Sequence, residues 1–163
     1  MVERQLWKAR SIFPLVQAEA IISGALSAAR SHDMEPMSVA VLDIGGHLIA
    51  FKREDGSGIL RVQIAMGKAW GALGMGVSSR LLRDRLSARQ GFIAALTTVS
   101  EGRFVPVPGG VLVLDDEHYT IGAIGISGDT SERDEFCAIC GVRSAGLNSQ
   151  PDEPDPNWQA STL

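Results

Sequence analysis

The chain has 163 residues, 45% hydrophobic and 21% charged, the composition of an ordinary folded domain that needs no disulfide scaffold and is too regular for a disordered or collagen-like chain. Fifteen basic against 19 acidic residues give a net charge of −4, which argues against nucleic acid as a partner, because phosphate binding needs a positive field. Asp152, Glu153 and Asp155 put −3 of that charge on residues 150–163 and leave the rest almost neutral. No 18-residue apolar run is present, so no membrane partner is expected. The first ten residues hold no stretch resembling a signal peptide, and a cytoplasmic location is expected.

Residues 1–14 read as an arm that packs on something, a second subunit being one candidate. From Leu15 to about Ser31, Leu15, Ala18, Ile22, Ala25, Leu26 and Ala29 recur at helical spacing. Met37–Asp43 is apolar and rich in strand formers. Ile44-Gly45-Gly46 forms a turn, and His47–Arg53 returns, completing a hairpin. After the loop Glu54–Gly58, a second helix runs over Ile59–Leu73, rich in small residues. Shorter helices follow over Ser78–Arg89 and Phe92–Val99.

Pro106–Gly110 is a rigid turn into a second hairpin, Val111–Leu114 with Tyr119–Ile126. The last helix spans about Ser131 to Ala145, with Ser131 and Asp134 spaced as a capping pair. Residues 148–163 form an acidic, proline-containing tail expected to be mobile or draped on a neighbour. The order α-β-β-α-(α)-β-β-α predicts an α+β fold: a central antiparallel sheet of two hairpins with helices packed on it.

Several segments bear residues with chemistry. Asp43-Ile44-Gly45-Gly46-His47 sets a carboxylate, two backbone amides and an imidazole on one turn, which serves either as an anion-binding turn or simply as a hairpin that needs glycine. His47 is of the residue type that ligates metal or acts as a general base. Arg53 and Asp55 at a strand end suit either a carboxylate clamp or a structural ion pair. Lys68, mid-helix among Ile64, Ala65 and Ala69, is expected to point into a pocket rather than snorkel to water. The glycines of Gly122–Gly128 are positions where a helix or ligand approaches a strand closely, and neither they nor Pro108-Gly109-Gly110 match a nucleotide-binding pattern. Cys137 and Cys140 form a C-x-x-C about two turns into a helix, with no second ligand pair, and read as two small buried residues. Arg80, Arg83, Arg85 and Arg89 are spread around one helix, as on a solvated or interface face, and an acidic-ligand patch is the alternative.

The order of five motifs resembles one family. These are Met37–Phe51, Arg53–Gly56, Ile64–Ala69, Pro108–Val111 and Ile121–Gly128, and the likeness covers about Leu15 to Leu147. The chain resembles the GlcG/HbpS-like proteins, whose module also forms the C-terminal domain of PduO-type cobalamin adenosyltransferases. Glu54, Ser78-Ser79 and Arg133 depart from the residues common in that family. The resemblance implies a profilin/roadblock-like α/β sandwich over residues 15–147, assembled as a homo-oligomer, often an octamer. It implies haem as a cofactor for some members, with His47 as the candidate iron ligand. Asp43, Gly45, Gly46, Arg53, Asp55, Lys68, Gly109 and Gly110 match and become the ligand-binding candidates for an anionic small molecule. A rival reading is an enzyme acting on a small organic acid. Arg53 would then hold the carboxylate, and His47, Lys68 and Asp55 would transfer protons.

Overall fold

A computed structural model describes residues 9–163. The elements run α1 (Leu15–Ser31), β1 (Ser38–Asp43), β2 (Leu48–Arg53), α2 (Ile59–Met75), α3 (Ser79–Leu86), α4 (Gln90–Val99), β3 (Gly110–Leu114), β4 (Thr120–Ser127), α5 (Ser131–Ser144) and β5 (Asn148–Gln150). The five strands form one antiparallel sheet in the order β2-β1-β4-β3-β5. The two expected hairpins are its core, and β1 and β4 join them side by side.

Strand alternation divides the sheet into two unlike faces. Val39, Val41, Val111, Val113, Ile124 and Ile126 point one way and pack against Ile21, Ile22 and Ala25 of α1 and Cys137, Ile139 and Val142 of α5. Leu42, Leu112 and Ala123 point the other way, against Ala69 and Ala72 of α2. The sheet is therefore the middle of three layers. Full burial of each large aliphatic side chain contributes about 1.5–3 kcal/mol, so most of the apolar stabilisation lies on the α1/α5 face.

The α2 face works by close approach instead. Gly110 and Gly125 are partners across β3 and β4. A side chain on Gly125 would strike the backbone oxygen of Ala65, and one on Gly110 that of Lys68. Both strand glycines are thus sites where the α2 backbone rests directly on the sheet. Of the two roles open to Gly125, helix approach is the one it fills.

Both ends of the described chain contact the domain. Leu6 and Trp7 of the arm lie outside the described residues. Phe13 is buried within this domain's own core rather than in a second subunit. The tail makes contacts with its own domain. Asn148–Gln150 adds a fifth strand to β3, and the Gln150 side chain accepts from the Ser78 backbone N–H at 2.6 Å. Trp158 stacks on Phe136 of α5, ring centroids 3.8 Å apart. Arg143 holds the Glu153 carboxylate at 2.7 Å. The cap of α5 differs from expectation: Thr130, not Ser131, accepts from the Arg133 N–H. Asp134 is used elsewhere.

Candidate functional site

The expected site residues fall into three separate places. The first is the β1–β2 turn. Asp43 Oδ1 accepts from the N–H groups of Gly45 (2.8 Å) and His47 (2.9 Å), and its carboxyl is held below the usual carboxylate range mainly by the His47 amide. The acid thus closes its own turn. Gly46 takes φ +80°, which glycine adopts without steric cost. The His47 ring projects into solvent, 82% exposed, its Nδ1 3.3 Å from Asp43.

The second place is the far end of the same hairpin. Arg53 pairs with Ser38 at the start of β1, whereas Asp43 ends that strand. Arg53 and Asp55 are exposed around a shallow hollow of about 460 Å³ shared with Arg30, Pro36 and Glu54. Glu54 turns away from Arg53. It pairs with Arg30 at 3.1 Å and accepts from the Met37 N–H at 2.7 Å.

The third place lies under α2. Lys68 is buried, as its apolar neighbours indicate, but it opens into no pocket. Its Nζ donates to Asp134 Oδ2 at 2.8 Å and to the Ile126 carbonyl at 2.9 Å. Burial pushes the Asp134 carboxyl up and the Lys68 charge pulls against it. Gly109, at φ +113°, leaves room for that ammonium, since a Cβ there would sit 2.9 Å from Nζ. Lys68, Asp134 and Gly109 together pin α2 to β4 and α5. His47, Lys68 and Asp55 therefore share no common cavity, and no acid–base constellation is assembled from them. Two arginines of α3 are likewise engaged within the chain. Arg80 faces Glu135 at 3.4 Å, and Arg83 reaches Glu132 and Asp84, both at 2.9 Å. Cys137 is buried with its thiol 3.4 Å from the Met34 sulfur, and burial raises both cysteine thiols above their ordinary value.

One cleft does adjoin an expected residue. It holds about 350 Å³ and is bounded by Gly46, by Leu42 below, by Gln63, Met66 and Trp70 of α2, and by the segment through Arg103 that follows α4. The Arg103 guanidinium lies over the Trp70 ring, 4.4 Å from its centroid. On the other side the indole abuts the turn, where a Cβ on Gly46 would come within 3.0 Å of it. Apolar walls and an aromatic platform, with Arg103 and the exposed Glu101 at the rim, suit a flat ligand with an anionic edge for Arg103 to hold. Among the described residues no group of three or more histidines, cysteines or acids is placed to hold a metal ion. No described helix is long and apolar enough to cross a membrane.

Sequence reasoning found Gly46 but not Trp70, Met66 or Arg103. A tryptophan amid Gly67, Ala69, Gly71 and Ala72 is a usable signal, because only a partly exposed surface tolerates that contrast in size. Nothing local to Arg103 marks it.

The comparisons agree with this architecture. The family model described as haem degrading protein HbpS-like matches residues 13–143. The crystal structure of a PduOC–haem complex superposes with a TM-score of 0.74 at 23% identity, covering 88% of this chain and 99% of that one. The Klebsiella pneumoniae protein ORFY gives 0.75 at 23% identity over 87% and 97%. A double mutant of Streptomyces reticuli HbpS gives 0.69 at 25% identity over 88% and 92%. No curated protein matches the sequence. With its five-stranded sheet, its two helical layers and the family match over most of its length, the chain belongs to the HbpS-like family.

Proposed function

We propose that this protein binds haem, or a flat anionic ligand of related shape, in the cleft beside the Asp43–His47 turn. The observation that carries the reading is the cleft itself: about 350 Å³, walled by Leu42 and Met66, floored by the Trp70 ring, with Arg103 at its rim. That volume is at the small end of ligand sites, and the open mouth leaves part of a larger ligand in solvent. The side chains present fit a porphyrin. Met66 in the wall is of a residue type that ligates haem iron, and so is His47, which stands on the adjoining turn outside the lining. Arg103 and Gln63 suit its propionates, and Gly46 and Gly102 add no bulk to the mouth. The PduOC structure that shares this fold holds haem, which supports the same class of ligand here. Self-association belongs to the reading as well. It is supported by α4, an apolar helix that buries none of its residues.

Hemin titration followed in the Soret region tests the site. A saturable shift that Trp70→Leu abolishes is the expected result. Loss with His47→Ala assigns the iron ligand to His47, and retention in that variant moves the ligand elsewhere. Absence of a saturable shift in the unmodified protein refutes haem binding.

A further inference from the structure

We propose that Arg103 is the specificity residue of the cleft, and that the cleft selects flat, π-rich carboxylates by exchanging the guanidinium on Trp70 for the ring of the ligand. The inference rests on the reading of the cleft as a ligand site and adds the chemistry that decides what enters.

Trp70 is held as a fixed platform. It projects from the stretch of α2 whose neighbours Ala69 and Ala72 are fully buried. The Gly46 turn stands against one edge of its indole, so the ring cannot tip toward the hairpin. Its open face carries Arg103, 4.4 Å from the ring centroid. A guanidinium is planar and delocalised, and it stacks on indole much as an aromatic ring does. The group now on the platform therefore has the shape and polarity of the part of a ligand that can replace it.

Arg103 is also free to leave and has a use when it does. Its Nε donates to the Ser100 carbonyl at 3.1 Å, which tethers the side chain near its middle. The terminal amino groups make no hydrogen bond among the described residues. Their nearest acid is Glu101 at 3.8 Å, and both side chains of that pair are largely exposed, 56% and 82%. Such an exposed pair is weak, and so is an exposed cation–π contact. A carboxylate arriving with a ring offers the fork a bidentate partner, while the ring takes over the indole face. Neither half suffices: a ring without the acid must displace Arg103 with nothing to receive it, and an acid without a ring leaves the platform covered.

The test uses the full chain and three small probes: naphthalene carboxylate, its uncharged carboxamide, and cyclohexane carboxylate. Binding is followed by calorimetry on the unmodified protein, Arg103→Ala and Arg103→Lys. The carboxylate is expected to bind the unmodified protein about tenfold or more tighter than either control, the range for a charged hydrogen-bonded pair. In Arg103→Ala the naphthalene acid and amide become equal, through loss of acid binding rather than of amide binding. Arg103→Lys restores part of the difference, because it keeps the charge without the fork. Equal binding of acid and amide to the unmodified protein, an unchanged preference in Arg103→Ala, or no binding of any probe overturns the proposal. Hemin is titrated in parallel. A hemin shift lost in Trp70→Leu together with no naphthalene preference refutes the role of Arg103 and leaves the haem reading standing. A naphthalene preference without a hemin shift does the reverse.

Discussion

On one face, the sheet presents Val39, Val41, Ile124 and Ile126 to helices that supply Ile21, Ile22 and Ile139. On the other, it presents Gly110, Ala123 and Gly125 to a helix that supplies Ala65, Ala69 and Ala72. The first face removes large apolar area from water and leaves no cleft within its core. The second brings backbone against backbone, and its fit is tight only where both surfaces stay small. Where α2 carries Met66 and Trp70 instead, the match ends and the cleft begins. Dense aliphatic packing and the candidate cleft thus lie on opposite sides of one sheet, and a large residue among small ones marks the boundary.

Three perturbations sharpen that contrast. The largest effect is expected from Lys68→Met, which strands the buried Asp134 carboxylate. A loss of about 3–5 kcal/mol in denaturant unfolding is expected, and Asp134→Leu added to it restores most of the loss. If single and double variants are equally unstable, the ion pair is not what fixes α2. Gly125→Val comes next, at about 3 kcal/mol, because the new side chain meets the Ala65 backbone, which has nowhere to go. An unchanged unfolding midpoint refutes direct contact between α2 and the sheet.

The smallest effect belongs to Glu135 on α5, where the aliphatic layer meets α3 and the tail. It is fully buried, and neither carboxylate oxygen has a hydrogen-bond partner among the described residues. Burial raises its pKa from 4.5 to about 7, against the pull of the Arg80 charge. The folded protein thus keeps a proton that the unfolded chain releases between those values. This group's contribution is fully present below pH 4.5, falls as pH rises toward 7, and is flat beyond. The decline amounts to about 3 kcal/mol over the whole range, and Glu135→Gln removes it. Unfolding midpoints of the two proteins that stay parallel across that range refute the assignment.

Much of the fold is legible in the residues. The spacing of Ala18, Ile22, Ala25 and Ala29 defines the buried stripe of α1, and Gly45-Gly46 marks the first hairpin. Strand β5 escapes such reading because Asn148-Ser149-Gln150 is polar and carries no alternation. Its ladder to β3 and the contact of Gln150 with Ser78 are tertiary. The site was less legible. The environment of Lys68 indicated burial, but its partner Asp134 lies on another helix and no local pattern connects them. Asp43, Gly46 and His47 were correctly placed on one turn. Arg53 and Asp55 were grouped with them by motif order, yet β-strand geometry separates the two ends of the hairpin by the length of a strand. Trp70 and Arg103 meet only because the segment after α4 folds back over α2.

The pairing of β1 with β4 has a consequence for how the chain is made. Ribosomes extend a chain at roughly 5–20 residues per second, so the Met37–Asp43 segment emerges several seconds before its partner. Throughout that interval one edge of the first hairpin is open. Helix α1 waits as long for α5. The nascent protein is therefore expected to depend on holding factors or slow synthesis until Ser127 is clear. Synonymous codon changes that hasten translation between the two hairpins should lower soluble yield without altering a single side chain.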